Sequence, residues 1–324
     1  MELYSDPAEI EKPFANSYVT IGNFDGVHLG HQILFSEVVS KAYSNKGTSV
    51  VVTFDPHPLQ VLRPEIGIKL ISSYEQKVEL ISYAGIDILV VIPFTREFAT
   101  TSAESFVDDI LIRTIGVKEL VVGYDYAFGK GRQGNIEFLK EQGQQKGFPV
   151  SVVAPFYVDE MLASSTKVRE LVKEGRMLDV KKLLGRSYQI RGTVQQGKRR
   201  GGPVVGFPTA NLHISEEDLC PKLGVYVTQV IYDGKCYGGV LNIGYNPTFG
   251  GNRLSAETHI FDFTQEIYGK KIKINLLKFL RGEQKFSGAT ELADQIKEDI
   301  SQAREILTEA QKELLLSCEE KYNR

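Results

Sequence analysis

The chain has 324 residues, 42% hydrophobic and 24% charged, with a formal net charge of -3. That length exceeds one ordinary core and predicts two domains; the near-neutral charge excludes a bulk attraction to nucleic acid or to an anionic membrane surface. No apolar run is long enough to span a bilayer, the acidic start "MELYSDPAEIEKPF" is no signal peptide, and Cys220, Cys236 and Cys318 form no CxxC pair or disulfide framework. These features point to a cytoplasmic protein.

The first half alternates strand-like and helix-like segments. "SYVTIGNF" reads as a strand and "LGHQILFSEVVSKAYSN" as the helix after it. "SVVVTF", "IDILVVIPF", "KELVVG" and "PVSVVA" read as further strands. Helices "SYEQKVELISYAG", "SAESFVDDILIRTIG", capped by Ser102 or Ser105, and "NIEFLKEQGQQKG" lie between them. Near-continuous Val/Ile strands separated by helices imply a parallel sheet covered on both faces. Ligands bind such sheets at the carboxyl ends of the strands. Three stretches follow strands and are candidates for one crevice: "GNFDGVHLGH" (22–31), "TFDPHP" (53–58) with His57, and "VGYDYAFG" (122–129) with Asp125.

The first of these carries the strongest chemistry. Gly22, Gly26 and Gly30 bring backbone N–H groups close to a ligand at a helix N-terminus, a geometry that favours phosphate. His28 and His31 there would donate to phosphate oxygens. A metal site built on His28, His31 and His57 is an alternative, although metal helices prefer histidines at i,i+4 with an acid. Two surface loop histidines are another. "GKGRQG" (129–134) begins too far beyond its strand for a dinucleotide fingerprint and reads as a glycine loop carrying Lys130 and Arg132. In "SSTKVRELVKEG", Ser164, Ser165 and Thr166 suit a helix cap. With Arg169 one turn on, the same hydroxyls and backbone N–H groups would hold a triphosphate.

From about Gly185 the pattern changes to short alternating strands broken by glycine turns: "SYQIRGTVQQ", "GVYVTQVIYDGKCYGGVLNIG", "AETHIFDF" and "KKIKINLLKFL". "YDGK" is a hairpin turn. An antiparallel sheet or small barrel is expected, closed by a long amphipathic helix whose stripe is Leu292, Ile296, Ile300, Ala303 and Leu307. "GFPTANL" lies in this half, with Gly206 and Pro208 in its turn. Thr209 and Asn211 are hard oxygen ligands suited to Mg²⁺, and the basic glycine loop "GKRRGG", with Gly197 and Lys198, suits a nucleotide lid. Glu257 sits on a strand whose alternation points it with His259; a lone strand acid is more often simply solvated.

Together, "GNFDGVHLGH", "TFDPHP", "SSTKVR", "GFPTANL", "NIGYNPTF" and "LRGEQKF", in this order, resemble the bacterial bifunctional riboflavin kinase/FAD synthetases. The resemblance runs from about Val19 to about Arg304. It implies a Rossmann-like nucleotidyltransferase in residues 1–184, making FAD and pyrophosphate from FMN and ATP. It also implies a β-barrel flavokinase in residues 185–324, making FMN from riboflavin and Mg-ATP. His28, His31, Ser164, Ser165 and Arg169 would hold the triphosphate. Gly22, Asn23, Phe24, Asp25 and Gly26 would form the turn, and His57 and Asp125 would lie near the flavin phosphate. In the kinase half, Thr209 and Asn211 would hold Mg-ATP, Glu257 would be the general base, and Arg281 would place the flavin. Two positions depart from the family pattern: Ala127 replaces an arginine, and Gly202-Pro203 precedes the "GFPTAN" turn. The implied partners are riboflavin, FMN and ATP, with no nucleic acid and no membrane; an assembly of identical copies is left open. A flavin-binding regulator and a zinc-type hydrolase are the rival readings.

Overall fold

The computed structural model describes residues 1–196, 207–248 and 251–322, with side chains described except at 246–248, 251–253 and 309–322. The chain divides into two compact units, Met1–Lys167 and Val168–Arg324.

The first unit is built on a six-stranded sheet in the order β1-β4-β3-β2-β5-β6. Its strands are β1 (Glu2–Tyr4), β2 (Ser17–Ile21), β3 (Thr48–Asp55), β4 (Ile88–Pro93), β5 (Val117–Gly123) and β6 (Val150–Val153). All pair in parallel. The edge strand β1 arises from the N-terminal segment that sequence composition presents as merely polar. Val50, Val51 and Val52 of β3 are wholly buried because both faces are covered. One face packs on α1 (Leu29–Ser44) through Leu34, Phe35, Val38 and Ala42, and on α3 (Tyr74–Tyr83) through Ile81. The other face packs on Phe106, Val107, Leu111, Ile115 and Leu139. A short α2 (Pro58–Leu62) follows β3.

Capping follows the side chains available. Ser73 accepts from Gln76 N to start α3, and Ser102, rather than Ser105, accepts from Ser105 N to start α4 (Ala103–Ser105). That helix continues over Phe106–Ile115 in π winding, and its buried Phe106, Leu111 and Ile115 follow the wider turn. Asn135 caps α5 (Ile136–Lys146). The order of the strands matters for function. From β2 the chain moves outward through β3 and β4, then returns to place β5 and β6 on the other side. The direction therefore reverses between β2 and β5, and their carboxyl ends open the crevice where such sheets bind ligands.

The second unit holds an antiparallel six-stranded sheet, β10-β13-β12-β11-β14-β9. The strands are β9 (Tyr188–Thr193), β10 (Ala210–His213), β11 (Gly224–Tyr232), β12 (Lys235–Thr248), β13 (Gly251–Ile260) and β14 (Lys271–Arg281). A bridge between Gln195 and Asn211 brings the two edges together, so the sheet is a nearly closed barrel. Asp233 and Gly234 both have positive φ (49° and 71°), as the predicted Asp-Gly hairpin turn requires. In the first unit, β7 (Tyr157–Val158) and β8 (Met161–Leu162) form a small hairpin before α6 (Ser165–Glu174). Then α7 (Met177–Leu184) packs on β9 and β14, burying Met177, Val180, Leu183 and Leu184. The closing helix α8 (Ala289–Tyr322) lays Ile300, Ala303 and Leu307 against Val225, Val227, Val240 and Phe261, as its stripe predicts. Cys220 is free and half-buried at the end of the segment before β11.

Candidate functional site

In the first unit the chain leaves β2 at Gly22 and enters α1 at His28. The intervening turn is tightly built. Phe24 and Val27 take positive φ (49° and 40°), an uncommon conformation and a strained one for a β-branched valine. Gly26 has φ +79°, and a Cβ there would stand 2.7 Å from Ile71 Cγ2, so only glycine fits. The buried Asp25 carboxylate accepts from Ile71 N at 3.0 Å and from Ser72 N at 3.2 Å; Gly26 N donates to Ser72 Oγ at 3.1 Å. Ser165 Oγ donates to Asp25 O at 2.9 Å. The "GNFDG" and "SST" stretches, far apart in sequence, thus meet. Asp25 thereby shapes the turn. Asn23 is exposed on the turn.

His28 is the N-cap of α1 but makes no side-chain cap bond, and the first turn holds no acidic residue. The positive end of the helix dipole is thereby left for an anion. His28 is 6% exposed and stacks on His31, ring centroids 3.6 Å apart. Phe24 meets His31 edge-on at 5.2 Å and holds it from below. Gly30 lies under His28, where a Cβ would come within 3.2 Å of the imidazole.

Ser164 Oγ accepts from Lys167 N at 3.2 Å and caps α6, and Thr166 is exposed on its first turn. Arg169, half-buried, follows on α6 in the second unit. His57 caps α2: its Nδ1 accepts from Leu59 N at 3.1 Å, and its own N donates to Gln60 Oε1. A backbone N–H can only donate, so Nδ1 is bare and the ring proton sits on Nε2 as a fixed donor. Asp125 is exposed in the loop after β5, near the half-buried Ala127. Among the described residues, no group of three or more His, Cys, Asp or Glu side chains is placed to share a metal ion. A charged group of the first unit not singled out by sequence is Lys77, which is 8% exposed and donates to Phe54 O at 2.9 Å. Burial pushes its ammonium pKa down, against the opposing pull of the Asp55 and Asp25 carboxylates. Its one signal in the sequence is a lysine four residues before the buried Ile81, on the apolar face of a helix.

In the second unit a cavity of about 290 Å³ lies between the barrel and α8. Thr209, Asn242, Glu257 and His259 form its polar wall; Phe207, Val225, Val240, Phe286, Leu292 and Ile296 form its apolar one. Glu257 and His259 share a face of β13, as alternation predicts. Strand register sets Asn211 of β10 and Asn242 of β12 on either side of Glu257. Asn211 Nδ2 donates to Thr209 O at 3.3 Å, which turns its Oδ1 away as an acceptor. The Thr209 hydroxyl, the Asn211 amide oxygen and the Glu257 carboxylate are hard oxygen donors of the kind Mg²⁺ takes. His259 Nδ1 donates to Pro208 O at 2.9 Å and ties down the turn that carries Thr209.

Arg281 lines the same cavity, but its guanidinium is engaged. Nε and Nη2 hold the Asp299 carboxylate of α8 at 2.9 and 2.7 Å, and Nη1 donates to Gly282 O at 3.1 Å. Asp299 and Asn242 were not singled out by sequence. The expected lid residues Gly197 and Lys198, together with Gly206 and Pro203, lie outside the described residues.

Two family models match: FAD synthetase over residues 10–167 and riboflavin kinase over residues 184–307. A Listeria monocytogenes protein named bifunctional riboflavin kinase/FMN adenylyltransferase is 37% identical over 293 residues, covering 89% of this chain and 92% of that protein. Its namesake from Escherichia coli K12 is 34% identical over 296 residues, covering 91% and 94%. A solved structure from Streptococcus pneumoniae, titled a macrolide-efflux protein, matches with a TM-score of 0.84 at 32% identity, covering 93% of this chain and 98% of that one. Among the described residues no helix is long and apolar enough to cross a membrane. The chain belongs to the bifunctional riboflavin kinase/FMN adenylyltransferase family and makes FMN from riboflavin and FAD from FMN.

Proposed function

We propose that adenylyl transfer takes place in the crevice at the carboxyl ends of β2 and β5, within residues 1–184, and that riboflavin is phosphorylated in the barrel cavity of residues 185–324. The observation that carries the first assignment is the stacked His28–His31 pair at an uncapped helix N-terminus. The FMN phosphate attacks the α-phosphorus of ATP and pyrophosphate leaves, so the protein supplies positioning and charge stabilisation rather than a nucleophile. His28, His31 and the N–H groups of the α1 start receive the phosphates. The Gly22–Gly26 turn admits them closely. Ser164, Ser165, Thr166 and Arg169 hold the far end of the triphosphate. His57, through its Nε2 proton, and Asp125 lie toward the flavin phosphate.

In the barrel, Glu257 accepts the proton of the primary ribityl hydroxyl as the new P–O bond forms. The cavity's two walls suit riboflavin: an apolar wall for the ring and a polar wall for the ribityl chain and its reacting end. Thr209 and Asn211 would hold Mg²⁺, which neutralises charge on the ATP phosphates when bound. Gly197, Lys198, Gly206 and Pro208 would bind the nucleotide, as the family resemblance implies. Arg281 acts through Asp299, fixing the helix that forms the apolar wall. Both reactions consume ATP, which supports a cytoplasmic location. Riboflavin with Mg-ATP, followed by chromatography of FMN and FAD over time in wild type and in His28→Ala, tests the assignment. FMN should accumulate in the variant, and normal FAD formation would refute it.

A further inference from the structure

Lys77 is a buried cation that the chemistry assigned so far does not use. It lies in the first turns of α3, just past the Ser73 cap. Its ammonium donates to Phe54 O at 2.9 Å and, more weakly, to Thr53 Oγ1 at 3.4 Å. An aliphatic side chain would fill this site without the cost of burying a charge. What the ammonium provides is a set of donors at the carboxyl end of β3.

The direction of the hydrogen bonds is fixed by elimination. An ammonium has no lone pair, so Thr53 Oγ1 must accept from it. The hydroxyl then has one hydrogen left, and Asn23 O lies 3.2 Å away to take it. Lys77, Thr53 and Asn23 therefore form a relay from α3, through the end of β3, into the turn that follows β2. The entry to α3 grips the same turn a second time, through the Asp25 bonds to Ile71 N and Ser72 N and the Gly26 bond to Ser72 Oγ. Phe54, whose carbonyl Lys77 holds, stands three residues before His57. One side chain thus sets two strand ends, one leading to His57 and the other to His28.

We propose that Lys77 is a positioning residue for adenylyl transfer, fixing the carboxyl end of β3 against the Gly22–His28 turn through Phe54 O and the Thr53–Asn23 relay. This rests on the reading that the turn receives the phosphates of ATP. Misplacing reacting groups by about 1 Å costs on the order of 100-fold in rate, so the variants should lose turnover more than binding.

The test uses the full chain, with FAD formation from FMN and Mg-ATP measured alongside riboflavin kinase activity and thermal unfolding. Lys77→Met should lower kcat for FAD formation about 10- to 100-fold, leave KM for FMN within about twofold, and leave kinase activity unchanged. Lys77→Arg, which keeps a donor, should recover part of the loss. Thr53→Val cuts the relay but spares the Phe54 bond, so its loss should be smaller. The double variant should be no worse than Lys77→Met alone, because both act through one relay. A near-normal kcat in Lys77→Met, additive losses, or a loss explained by the unfolded fraction would overturn the proposal. If Lys77→Met does not fold, Thr53→Val decides, and a normal FAD rate there overturns it. His28→Ala separates the two ideas: normal FAD formation in that variant removes the phosphate reading itself, whereas an inactive His28→Ala beside an active Lys77→Met removes only the role of Lys77.

Discussion

The imidazoles of His28 and His31 stack with ring centroids 3.6 Å apart and 26° between their planes, at the point where the β2 turn becomes α1. A three-residue spacing on a regular helix would set two side chains on neighbouring positions of one face. Here His28 is the cap and His31 the third helical residue, so both rings reach the same side of the helix mouth. Negative charge grows on the α-phosphoryl oxygens and on the departing pyrophosphate, and removing one preorganised donor costs roughly 10²–10³-fold. His28→Ala and His31→Ala should each lose FAD formation by that order while riboflavin kinase activity is kept. Either variant making FAD at the wild-type rate would mark that histidine as a bystander.

Glu257 tests the other half. General-base catalysis is worth roughly 10²–10⁴-fold. Glu257→Gln, which keeps shape and loses basicity, should reduce FMN formation by that order. FAD made from supplied FMN should be unchanged. Near-normal kinase turnover would exclude Glu257 as the base.

Much of this was legible in the sequence because it rests on local rules. Val-rich runs of β3 and β4 announce a sheet buried on both faces; alternation on β13 puts Glu257 beside His259; Asp233-Gly234 fixes a hairpin. What stayed hidden depends on contacts between distant segments. Nothing near Arg281 in sequence says that Asp299 will take its guanidinium. Nothing in "GNFDG" says that the Asp25 carboxylate turns inward to Ile71 and Ser72. The Lys77–Thr53–Asn23 relay spans three segments joined only by the fold.

The Arg281–Asp299 pair makes a stability prediction. The side chains are 18% and 4% exposed, so the pair is largely removed from water. Asp299→Asn leaves the guanidinium without its carboxylate, and breaking a buried pair costs about 3 kcal/mol or more. Denaturant unfolding should show a loss of that size, with a weakened riboflavin kinase, since α8 forms one wall of the cavity. A loss below about 1 kcal/mol would put the pair among solvent-screened surface bridges.

The boundary of the kinase unit makes another. Family matching begins at residue 184, but α7 buries Met177, Val180, Leu183 and Leu184 and packs on β9 and β14. Each fully buried apolar side chain contributes about 1.5–3 kcal/mol. A fragment of residues 176–324 should fold, make FMN and make no FAD. A fragment of residues 187–324 should be clearly less stable in thermal unfolding. Equal stability of the two would mean that α7 contributes nothing to the barrel.

The most direct measurement mixes two broken enzymes. His28→Ala supplies an intact barrel, and Glu257→Gln supplies an intact crevice. Given riboflavin and Mg-ATP, His28→Ala alone should stop at FMN and Glu257→Gln alone should make neither product. Combined in one tube, they should make FAD, because FMN released by the first is adenylylated by the second. A mixture that leaves FMN unconverted, with Glu257→Gln also unable to use supplied FMN, would contradict two separate sites assigned to these residues.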